Sequence, residues 1–129
     1  MIPIQWSDQT LAAINYLRGR PSLSGVTITR TKQAGKVEQI VLDTEPQQFE
    51  TLISRRTAVL LESWAERANG SADVSRSFEI MSVALFELQR APDLLPHVVR
   101  FDSPVGPRVE KDDAGFEYHE GSLVWVVSQ

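Results

Sequence analysis

The chain has 129 residues and a mass of 14.5 kDa, with 42% hydrophobic and 23% charged residues, a balance that suits one folded domain and excludes a disordered segment. It contains no cysteine, which excludes a disulfide frame, a thiolate zinc site and a cysteine nucleophile. Thirteen basic residues against seventeen acidic ones give a formal charge of −4, the wrong sign for gripping phosphate backbones through a general basic field.

The N-terminal MIPIQWSDQT has no basic stretch leading into an apolar one, and no apolar run approaches membrane-spanning length. The expectation is a protein of the cytosol, or of something assembled there, with no membrane partner. Ser7 and Asp8 are N-cap residues for a first helix over about Asp8 to Arg18, in which Leu11, Ile14 and Leu17 recur at helical spacing until Gly19 and Pro21 stop the pattern. VTITRT, with Val26, Ile28 and Arg30 alternating with threonines, predicts a strand.

KQAGK at 32–36 places a glycine between polar residues and leads into Val37, Ile40, Val41 and Leu42, so a hairpin is expected between the two strands. Residues 45–54 read either as a loop or as a short helix opening at Pro46, and the loop is preferred. From Arg56 to Trp64 the side chains divide by parity into Thr57, Val59, Leu61, Ser63 and Ala58, Leu60, Glu62, Trp64. Both sets are largely apolar, which predicts a central strand.

The turn Asn69-Gly70-Ser71 leads to Ser71 or Asp73 as a cap, after which Val74, Phe78, Met81, Leu85 and Leu88 alternate steps of four and three, a core-facing helix. Pro92 and Pro96 end it. HVVRFDS and SLVWVVSQ read as the last two strands, separated by an irregular stretch with Pro104, Gly106, Pro107 and the acidic EKDDAGFEYHEG. The order predicts an α+β fold: a mostly antiparallel sheet of four to five strands, with an N-terminal helix and a long amphipathic helix packed on it.

His97 and His119 have no partner at metal-ligand spacing, and Glu110, Asp112, Asp113, Glu117 and Glu120 do not match a calcium-loop pattern. No nucleophile elbow, phosphate loop or dinucleotide fingerprint occurs. The residues therefore make no case for catalysis, a metal or a cofactor. Arg55, Arg56, Arg67, Arg76 and Arg90 are solvated ends of elements, or else some face the acidic 110–120 segment of a neighbouring copy, fixing register. Trp64 and Trp125 read as core, whereas Trp6 suits either an interface or a staple onto the first helix.

A strand RRTAVLLESWAER running through a short turn into an amphipathic helix, then a strand, a Gly106-Pro107 pair, an acid-rich Asp112 to Gly115 segment and a closing apolar strand Leu123 to Val127, resembles the tail terminator proteins of long-tailed bacteriophages. The resemblance covers nearly the whole chain and rests on order, length and a few dipeptides. It implies an α+β subunit of a homo-oligomeric ring, commonly a hexamer, that caps the tail tube, ends tube polymerisation and joins the tail to the head connector. The partners it implies are further copies of the chain, the major tail tube protein and the head-completion protein. DNA would pass through the lumen without specific binding, in keeping with a net negative subunit.

On that reading the protein is structural and sits in the virion at the head–tail joint, having been assembled in the host cytoplasm. The expected interface residues are Trp6, Phe49, Arg55, Arg56, Asp112, Asp113, Phe116 and Tyr118, and the 45–54 and 103–121 segments are expected at subunit or axial contacts. The alternatives are another neck protein, such as a head-closure protein, or a small acidic intracellular binding module of the immunity or antitoxin kind.

Overall fold

The computed structural model describes residues 8–51 and 53–128 of the chain. Helix α1 spans Gln9–Arg18, and the Asp8 carboxylate caps it by accepting the Leu11 N–H at 3.1 Å. A short 3-10 turn at Pro21–Leu23 leads to strand β1, Thr27–Thr29. Strands β2, Glu38–Phe49, and β3, Ser54–Ala65, follow, and Asp73 caps the long helix α2, Val74–Gln89. A single turn α3, Ala91–Leu94, precedes the long strands β4, Val98–Lys111, and β5, Glu117–Ser128.

The fold is α+β, with a five-stranded mixed sheet in the order β1-β2-β3-β5-β4. Strand β3 is central, as its two apolar faces predict. One core joins Ala13, Ile14 and Leu17 of α1 to Ile80, Met81, Ala84, Leu85 and Leu88 of α2 and to Ile40, Leu42, Val59, Leu61, Leu123, Trp125 and Val127 of the strands. Tyr16 meets Trp125 edge to face at 6.3 Å, its hydroxyl donates to the Glu87 carbonyl oxygen at 2.6 Å, and the Trp125 indole N–H donates to the Leu88 carbonyl oxygen.

Four expectations from the sequence need correction. The first two strands do not form a hairpin, because β1 runs parallel to β2 with Ile28 opposite Ile40. A strand of three residues needs the chain to retrace only about 10 Å, which the 30–37 loop covers without a crossover helix. Residues 45–49 are neither loop nor helix but the second half of β2, paired with β3 up to Phe49 and Arg55. Pro46 is tolerated there because β1 covers only Gln39 to Val41, so this half of β2 is an edge.

The 103–121 stretch is likewise regular: it is most of a long hairpin in which β4 pairs with β5 from Val98 to Lys111. Pro104 and Pro107 fall in the outermost strand, where register shifts absorb them. Gly106, at φ 101°, sits so close to β5 that a Cβ would lie 2.6 Å from the Glu120 carbonyl oxygen. Phe78, finally, is not core-facing but 50% exposed, while Ile80 and Ala84 take buried places on α2.

Candidate functional site

The side chains of even parity on β3 and β5 lie on the sheet face opposite the core, and this face divides into three zones along the strands. At one end Trp64 of β3 stacks on Tyr118 of β5, with ring centroids 4.0 Å apart and planes 11° from parallel. Phe116 stacks on Trp64 at 5.8 Å, and the Lys32 ammonium stands 4.1 Å from the indole centroid. Trp64 is therefore buried, as its place in a strand suggests, but by rings and an alkyl stem instead of by a helix. Burial, then the nearby carboxylates of Glu120 and Glu62, pushes the Tyr118 hydroxyl up from its ordinary pKa.

In the middle lies a polar groove of about 560 Å³, with Arg30, Asp43, Glu62, Arg108, Glu120 and Ser122 among its lining residues. Arg108 reaches Glu110 and Glu120, each at 2.9 Å, so the acids of the β4–β5 hairpin are partly neutralised within the chain. At the far end Arg56 donates to Asp102 on β4 at 2.6 Å and also reaches Glu50 in the β2–β3 turn, which Arg100 contacts in turn. The Arg56 hydrogen bond holds the Asp102 carboxyl below the usual carboxylate range. This clasp draws the β2–β3 turn over β5, and beneath it Ala58, Val124 and Val126 are buried.

On the core side, one polar cluster joins α2 to the sheet. Ser77 and His119 share a 2.7 Å hydrogen bond between Oγ and Nδ1, and the Ser63 hydroxyl donates to the Ser77 carbonyl oxygen. Ser77 has no exposed surface, so the pair offers a substrate no path to its hydroxyl. It acts as a tie between elements, and burial pushes the His119 pKa down despite Glu117 nearby. Among the described residues no group of three or more His, Asp or Glu is placed to hold a metal ion, and no helix is long and apolar enough to cross a membrane.

The residues singled out from the sequence thus separate into groups. Phe116 and Tyr118 come together on Trp64, with Lys32 a fourth member that sequence spacing gives no means of finding. Phe49 is exposed at the other end of the sheet, opposite Arg55, whose guanidinium lies 4.6 Å from the Phe49 ring centroid. Eight residue steps of strand from Arg56 to Trp64 separate the two ends by about 26 Å. Asp112 is a turn residue: its carboxylate accepts the N–H groups of Ala114 and Phe116, both at 2.9 Å. Asp113 is exposed at the same turn, and Trp6 lies outside the described residues.

No family model matches the chain, and no curated protein matches its sequence.

Proposed function

We propose that the chain is a structural subunit of a ring at the end of a long phage tail, where copies of it cap the tube, stop its growth and present a surface to the head connector. In this reading α1 and α2 are the layer over one face of a mostly antiparallel sheet, and the other face and the two hairpins carry the contacts. The observation that supports it most is the exposed apolar surface around α2 and β4. Phe78 and Phe86 on the helix and Val99, Phe101 and Val109 on the outer strand are each at least about a third exposed in a chain whose core is already filled. Val109 pairs with His119, on whose ring Phe78 rests edge-on, so at this end helix and strand share one apolar surface.

A ring needs a contact between two unlike surfaces of successive copies. The α2–β4 flank and the opposite side of the sheet, at β1 and the free half of β2, are two such surfaces. Electron microscopy of purified virions whose genome encodes the chain, with mass spectrometry of their proteins, tests the reading. The expected result is a ring of this subunit at the head–tail joint, and overlong tails without heads when its gene is deleted. Virions that lack the chain would overturn it.

A further inference from the structure

The loop between β1 and β2 doubles back over the aromatic end of the sheet and leaves a cavity of about 350 Å³, within the size range of small-ligand sites. Trp64 and Phe116 form its apolar wall, the chain at Ala34 and Gly35 another, and Lys32, Lys36 and Glu66 bring charge to it. The loop is fastened in place. Buried Gln39 accepts the Gln33 N–H at 2.8 Å through Oε1 and donates to the Gln33 carbonyl oxygen at 3.0 Å through Nε2.

Among the described residues the two lysines lack the neighbouring carboxylate that most of the arginines have. Arg30, Arg56, Arg76, Arg90, Arg100 and Arg108 each have a carboxylate partner. Among the described residues neither Lys32 nor Lys36 has a carboxylate oxygen within 4.0 Å of its ammonium, the limit that defines those pairs. Lys32 is instead held over the faces of Trp64 and Phe116, at 4.1 and 5.6 Å from their centroids. Aromatic faces attract an ammonium but do not neutralise it. With Glu66 opposing the two lysines, the cavity carries one net positive charge.

We infer that this cavity binds a monoanionic carboxylate borne on a flat apolar group. The flat group lies against Phe116 and the rim of Trp64 that its covering rings leave open, the carboxylate reaches Lys32 and Lys36, and Glu66 repels ligands of higher charge. A free aromatic acid and an Asp-aromatic pair in a partner's peptide segment share this chemistry. The inference concerns a single subunit and stands whether or not the chain forms a ring.

The test is titration of the full ¹⁵N-labelled chain with phenylacetate, with phenylacetamide and with N-acetyl-Asp-Phe-amide, followed by nuclear magnetic resonance. Phenylacetate or the dipeptide shifts the backbone amides of Ala34, Gly35 and Lys36 and the Trp64 indole, while phenylacetamide binds roughly tenfold more weakly or less, the scale of one lost charge-assisted contact. Lys32→Met with Lys36→Met keeps the alkyl stem over Trp64, removes both charges and weakens the carboxylate by a similar factor. Response to phenylacetate alone assigns a small acid, and response to the dipeptide alone assigns a partner segment. Silence of both at about 10 mM, equal binding of the amide, or shifts confined to other residues would overturn the assignment. The comparison of acid with amide is made on the unmodified chain, so it holds even if the double variant does not fold.

Discussion

The Trp64 and Tyr118 rings lie face to face at 4.0 Å on the side of the sheet away from the core, each covering one face of the other. Replacing Tyr118 with Ala exposes the indole and removes a stacked partner, for a cost of about 2 kcal/mol. Tyr118→Phe keeps the stack and loses only a 3.3 Å contact from the hydroxyl to Glu120, so it changes stability by about 0.5 kcal/mol or less. Urea denaturation of the two variants separates ring from hydroxyl.

Helix α2 crosses β5 where the strand has no side chain. A Cβ on Gly121 would lie 2.7 Å from Met81 Sδ and 3.0 Å from Leu85 Cδ1. Gly121→Ala therefore overpacks the core and destabilises by about 1–3 kcal/mol. Met81→Ala alone leaves a cavity, but in combination with Gly121→Ala the two losses fall short of additive, because each substitution relieves the other. A double-mutant cycle in urea measures the coupling, and strict additivity would contradict the contact.

Both histidines have pKa values lowered by burial, and His97 Nε2 is buried with no hydrogen-bond partner among the described residues. Below the ordinary value of 6.5 the unfolded chain takes up protons that the folded chain refuses. Stability is therefore full above that pH and falls as pH drops through the two native values. The urea midpoint decreases between about pH 7 and pH 5.5, and His97→Asn with His119→Asn flattens the slope. The lowered carboxyl of Asp102 acts only below its ordinary 3.8, outside this window.

The two neighbouring aspartates of the β4–β5 turn do different work. Asp112→Ala loses two backbone contacts at 2.9 Å and costs about 1 kcal/mol, whereas Asp113→Ala stays within about 0.5 kcal/mol of the parent. A charge reversal that probes assembly without disturbing the fold is accordingly Asp113→Arg. Thermal melts of the variants, followed by tail assembly with the reversed one, keep stability and association apart.

The central strand, the Asn69–Ser71 turn and α2 are legible in the sequence because each has a strong period and its own stop signals. What was not legible depended on neighbours. The parallel pairing of β1 follows from a loop that backtracks, and a glycine between polar residues signals a turn without stating its direction. Pro46, Pro104 and Pro107 mark loops in a linear reading, yet each lies in a strand with a free edge, and a sequence does not say which strands are outermost. Phe78 obeys the helical period but falls just outside the arc that faces the sheet. Of the aromatic end, Phe116 and Tyr118 drew attention by type, while Lys32, distant in the chain, is placed by the loop that Gln39 fastens.

Those prolines have one more effect. An outer strand interrupted by residues without an amide hydrogen makes a poor template for backbone zippering. Copies held at high concentration should therefore resist fibrillar aggregation, and any contact made along this edge falls to side chains, which can be exchanged by mutation without touching the ladder.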